Sequence, residues 1–152
     1  MEDINSLGPP QIKLASLEMW IHGRQFPNHY DYDDGNWLTA TVRCCAPGAE
    51  VLASGPIIRI PEIERWHNEA ARMRETLSGK ATLGCLEPNL TVELAASSLG
   101  HLLMEVQITS DHMTQQHTFK FDIDQSYLDC MLKQCRAVLG ESPIRGERPV
   151  VR

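Results

Sequence analysis

The chain has 152 residues, 42% hydrophobic and 22% charged, and a net charge of −6. That is the length and composition of one globular domain with a real core. The acidic balance argues against non-specific nucleic-acid binding, which needs a basic surface. No run approaches the roughly 18 apolar residues of a membrane span. The acidic start, MEDINSLGPPQ, lacks the apolar stretch of a signal peptide, so a cytoplasmic protein is expected. Five cysteines (Cys44, Cys45, Cys85, Cys130 and Cys135) make an odd set without C-x-x-C spacing. Reduced thiols fit that pattern better than a disulfide framework.

Residues 1–10 are polar and end in Gly8-Pro9-Pro10, which reads as a loose arm. From Gln11 to Ile21, Ala15, Leu17, Met19 and Ile21 alternate with Ser16, Glu18 and Trp20, which predicts a first strand. Pro27 and the group Asp31, Asp33, Asp34 and Gly35 make Gly23–Gly35 a loop. A second strand follows from Asn36 to Cys45, with Leu38, Ala40, Val42 and Cys44 on one face and Trp37, Thr39, Thr41 and Arg43 on the other. After Ala46-Pro47-Gly48 a third strand runs from Glu50 to Ile58. Ile63, Trp66, Ala70, Met73 and Leu77 then recur at helical spacing, predicting a helix over Pro61–Ser78 with Gly79 as its cap.

Four more strands are expected at Lys80–Leu86, Leu90–Ala96, Leu102–Thr109 and 118–123, then a helix capped by Asp124 and stopped by Gly140 and Pro143. Residues 141–152, with Arg145, Arg148 and Arg152, read as a mobile tail. The order is βββ-α-ββββ-α. It predicts an α+β fold with a mostly antiparallel sheet of about six or seven strands, two helices packed on one face, and a single domain over 11–140.

The acidic run Asp31-x-Asp33-Asp34-Gly35 lacks the closing glutamate of an EF-hand, since Thr41 stands there; an ordinary turn is favoured over calcium. Ser110-Asp111-His112 are sequence neighbours without a nucleophile elbow, so no catalytic residue is assigned. No metal, P-loop or dinucleotide spacing occurs, and no cofactor is expected. One feature departs from the ordinary. Trp20 and Trp37 fall on the polar sheet face with Glu18, Glu93 and Glu105, the composition of a surface for a basic protein partner. The alternative is that both tryptophans pack beneath the Gly23–Gly35 loop as a small second core.

Three pieces carry a family resemblance: Phe26-Pro27 followed by Asp33 and Asn36-Trp37-Leu38; Pro61, Ile63 and Trp66; and Glu87-Pro88-Asn89-Leu90 before Val92-Glu93-Leu94. Together they resemble the WapI-like immunity protein family over roughly residues 17–139. The chain departs from the family's pattern at Gly35, where a small residue such as alanine is common, and in its extension after Gly140. The resemblance implies a non-enzymatic bacterial protein that binds and blocks a toxin domain, for named members a tRNA-cleaving nuclease. Nuclease domains tend to be basic because they hold phosphates, so an acidic inhibitor would be steered onto them. The motif residues Asp33, Asn36, Glu87 and Asn89 read as structural rather than interfacial. A monomer or weak homodimer is expected. The rival readings are a structural or adaptor module that dimerises through an edge strand, and an enzyme or small-ligand binder using the Gly23–Gly35 loop, with His29 or Asp33 joined to Glu87.

Overall fold

A computed structural model describes residues 3–150 of the chain. The ends of the expected arm and tail, including Arg152, lie outside the described residues. Eight strands and two α-helices follow in order: β1 (Ile12–Leu14), β2 (Leu17–Arg24), β3 (Trp37–Ala46), β4 (Ala49–Arg59), α1 (Ile60–Thr76), β5 (Lys80–Gly84), β6 (Leu90–Ala96), β7 (His101–Ile108), β8 (Thr118–Asp124) and α2 (Tyr127–Glu141). The α+β, antiparallel expectation holds. The strands form two sheets of four, β1-β2-β3-β4 and β5-β6-β7-β8, rather than one sheet of six or seven.

The extra strand comes from a hairpin hidden in the expected first strand. Leu14 pairs with Leu17 across a two-residue turn at Ala15-Ser16, and Ala15 takes φ +51°. Alternation on both sides of that turn conceals it, because neither residue is the glycine or asparagine that such a conformation usually selects.

Each half of the chain is a four-strand meander followed by a helix, a topological repeat without an accompanying repeat in the sequence. The helices cross over between the halves. Helix α1 packs on β5 and α2 packs on β1, and the two helices touch. Edge strands leave backbone groups unpaired, and here helix side chains meet them. Glu69 Oε1 accepts the Thr82 N–H at 3.0 Å, and Gln134 Oε1 accepts the Lys13 N–H at 2.9 Å. Each helix therefore meets the edge strand of one sheet while its apolar stripe joins the common core.

A single core joins the inner faces of both sheets to both helices. Leu38, Ala40, Val42 and Cys44 of β3 are fully buried, as their alternation predicts, and so are Ile63, Trp66 and Ala70 of α1. Leu77 leaves the predicted stripe. The helix ends at Thr76, and Leu77 itself is the left-handed cap at φ +55°, half exposed. At α2 the cap position is Ser126; Asp124 instead accepts from the Ser126 backbone N–H and hydroxyl. Burial pushes the Cys44 and Cys135 thiols up to about 12, so both are inert packing groups.

Candidate functional site

The Gly23–Gly35 loop is built into the fold by residues on either side of it. Asn36, fully buried, makes three side-chain bonds. Its Nδ2 donates to the carbonyls of Tyr32 (2.8 Å) and Arg145 (2.9 Å), and its Oδ1 accepts the Arg145 N–H (2.8 Å). Arg24 donates to the carbonyls of Gly35 and Pro143 at 2.6 and 2.5 Å. Arg145 donates to those of Pro27 and His29 at 2.6 and 2.9 Å, with its guanidinium 4.4 Å from the Tyr30 ring centroid. Residues 143–146 are thus stitched across the loop. Sequence reasoning missed this because the partners are more than a hundred positions apart.

Gly35 has a steric reason to be glycine. A Cβ there would come within 2.5 Å of the carbonyl oxygens of both Asp31 and His29. Asp33 is exposed on the turn. Asp31 Oδ2 accepts the Asp34 N–H at 2.8 Å, which holds the Asp31 carboxyl below the usual range. His29 lies 3.9 and 3.8 Å from the Asp31 and Asp34 carboxylates, and all three are exposed, as in an ordinary acidic turn. In the second motif, Asn89 Nδ2 donates to the Thr109 carbonyl (3.0 Å), while the Thr109 N–H donates to the Asn89 carbonyl (3.0 Å). That closes the β6–β7 end of its sheet. Glu87 is half-buried on the loop before Asn89.

The five residues expected on one polar face fall on two sheets. On the first, Trp20 is 3% exposed and its Nε1 donates to the Gly8 carbonyl at 2.9 Å. It is a small covered core, under the N-terminal segment rather than under the Gly23–Gly35 loop. Glu18 accepts from Arg43 at 3.1 and 2.5 Å, and the Arg43 guanidinium sits 5.6 Å from the Trp20 ring centroid. Trp37 is half-buried, with the Arg59 guanidinium 5.5 Å from its ring centroid. These three side chains are engaged within the chain.

On the second sheet the picture differs. Glu93 of β6 stands directly opposite Glu105 of β7, which in turn stands opposite Lys120 of β8. Like charges directly across a ladder are destabilising. Lys80 partly offsets them, 3.1 Å from Glu93, but both side chains of that pair are largely in solvent. Next along, Leu103 is 55% exposed, between Ala95 on one side and Asp122 on the other. A concavity of about 480 Å³ lies over Glu93, Leu103, Glu105, Lys120, Phe121 and Asp122. It is an apolar centre with carboxylates around it, on an otherwise open sheet face. Nothing in it resembles a nucleophile held by a base.

The model of the immunity protein WapI-like family matches residues 11–143. The chain belongs to that family. The match takes in both sheets, both helices, Asn36 and the Asn89–Thr109 pair, while Arg145, the partner of Asn36, lies beyond it. No curated protein and no solved structure matches the chain. Membership of an immunity family goes with a toxin-neutralising role and with a generally non-catalytic chain. No helix among the described residues is long and apolar enough to cross a membrane.

Proposed function

We propose that this protein is a cytoplasmic, non-enzymatic immunity protein that neutralises a basic toxin domain, of nuclease type, by direct binding. The observation that carries the reading is the Glu93–Glu105 pair beside exposed Leu103 on the open face of the second sheet. A partner lysine or arginine placed between the two carboxylates would relieve their repulsion and gain charge-assisted bonds. Leu103 would supply the dehydrated centre that such charges need around them. Net charge of −6 adds long-range attraction for a basic partner. Trp20, Glu18 and Trp37 have a lesser part in this reading, because Arg43, Arg59 and Gly8 already occupy them.

The test is capture of the tagged protein from its source cells at low salt, followed by titration of the partner obtained. A stoichiometric basic partner, released by high salt and bound at least tenfold more weakly by Glu93→Lys/Glu105→Lys, supports the reading. Unchanged affinity in that variant, with an intact circular dichroism spectrum, rejects this face. A partner without a basic surface rejects the nuclease assignment.

A further inference from the structure

Strands β1, β4, β5 and β8 form the edges of the two sheets, and three of them are protected. Side chains of α2 and α1 bond the backbone of β1 and β5. Strand β4 is interrupted by a register shift between Gly55 and Ile58 and by Pro56, which has no N–H to offer. Strand β8, by contrast, pairs with β7 in unbroken register from Thr118 to Asp124. Backbone groups along a strand point alternately to its two sides. The Ile108 N–H donates to the His117 carbonyl at 3.2 Å, in register with that ladder, so Phe119, Phe121 and Ile123 turn their backbone groups towards β7. Thr118, Lys120, Asp122 and Asp124 turn theirs outward, and among the described residues no loop or side chain bonds them.

The charge order along this edge is self-complementary in one antiparallel register. With a two-fold axis at Phe121, Lys120 of each copy stands opposite Asp122 of the other, and Asp124 stands opposite Thr118. Each such pair exchanges two backbone hydrogen bonds. Slipping by two residues sets Lys120 against Lys120 or Asp122 against Asp122, and like charges directly opposite are destabilising. A lysine on an edge strand ordinarily discourages pairing. Here Lys120 has no carboxylate within 4.0 Å among the described residues, and the second copy supplies one. At the axis the two Phe121 rings meet in the kind of pair whose side chains approach most closely. Phe121 is half-buried, whereas Phe119, stacked on it at 6.4 Å, is only 8% exposed, so Phe121 has surface left to cover. The net charge of −6 on each copy opposes association at long range. Salt screens that repulsion beyond about 8 Å under physiological conditions, while the Lys–Asp pairs act in contact.

We infer that β8 pairs with β8 of a second copy of this chain in that register, joining the two second sheets edge to edge in a homodimer. The axis is normal to the sheet, so both open faces point the same way. The concavity lined by Lys120, Phe121 and Asp122 then gains an outer wall from the second copy, whose Lys120 flanks Asp122 beside Leu103. A single strand pair covers less than the roughly 1,600 Å² of a standard interface, so the dimer is weak and concentration-dependent. The pairing stands on the edge alone. Its consequence, that a bound toxin would touch residues of both copies, rests on the toxin-binding reading.

The test is sedimentation velocity of the full-length protein alone, over a wide concentration range at physiological salt. The mass should rise from one chain to two. Lys120→Asp and Asp122→Lys, each by itself, set like charges opposite and should weaken the dimer by about tenfold or more. The combined Lys120→Asp/Asp122→Lys variant restores opposite charges and should recover it. Both side chains are exposed, so the fold should survive, and circular dichroism checks it. As a second readout, Phe121→Cys in a Cys130→Ser background should form a disulfide between copies on mild oxidation. A single chain at every concentration overturns the dimer. A dimer indifferent to both single changes overturns the β8 edge, and failure of the combined variant to recover overturns the register. No toxin is present in these measurements, so their outcome is separate from that of the partner-capture test.

Discussion

Replacing Asn36 by alanine removes the bonds that join the loop before β3 to the segment after α2. The variant loses two donated bonds, to Tyr32 and Arg145, and one accepted bond, from the Arg145 N–H. A typical bond contributes about 1 kcal/mol net, and a buried group left without a partner costs about 1–3 kcal/mol. Tyr32 keeps a second donor, since Arg59 reaches its carbonyl at 3.1 Å, so its loss sits at the low end. The Arg145 groups are nearer the surface and recover some water. The expected cost is about 3 kcal/mol in urea unfolding, or roughly 6–12 °C in Tm at this chain length. Asn36→Asp should cost at least as much, because the second carboxylate oxygen would face two carbonyls. Truncation after Glu141 removes the same Arg145 bonds, so its cost and that of Asn36→Ala should fall well short of additive. A cost under about 0.5 kcal/mol for Asn36→Ala, or full additivity with the truncation, would refute the reasoning.

Gly35→Ala should destabilise by about 2 kcal/mol or more, because its Cβ meets two backbone oxygens that cannot move independently; wild-type stability would refute this. Trp66→Ala should cost about 3–5 kcal/mol, since the ring is fully buried at the centre of the core; thermal unfolding reads it. Glu62 is raised above its ordinary value of 4.5 by burial, the Arg59 and Leu86 N–H groups opposing the shift. A raised folded pKa means relative stability that is full below 4.5 and lost as pH rises through the folded value. The stability of wild type relative to Glu62→Gln should therefore increase as pH falls towards 4.5, and a pH-independent difference would contradict it. Asp124 behaves oppositely. Its pKa is depressed by the Ser126 hydroxyl and N–H, so wild type should exceed Asp124→Asn above pH 3.8 and lose that advantage in stronger acid.

Much of the fold was legible because strand and helix periodicity are local. The β3 alternation from Leu38 to Cys44 and the α1 stripe from Ile63 to Met73 mark their buried faces by spacing alone, whatever they pack against. The turn at Ala15-Ser16 was not legible, since a non-glycine residue adopts the left-handed conformation there. Trp20 has the parity of the outer face, but a segment twelve residues earlier covers it. Parity assigns a residue to a face and says nothing of what lies over that face.

The family motifs illustrate the same division. Asn36 and Asn89 stand out as polar residues beside strands, and the sequence supports a structural role for them. Only the tertiary structure supplies the partners, Arg145 and Thr109. The pairing of Glu93 with Glu105 required the register of two strands. By itself, then, the sequence determined the element types, most of their buried faces, the acidic balance and the family. The split into two sheets, the exchange of helices between the halves and the Glu93–Glu105 face were decided by tertiary structure. The reason is physical: periodicity depends on neighbours within a few residues, whereas edge sealing, cross-strand charge and cleft walls depend on groups the chain brings together only when folded.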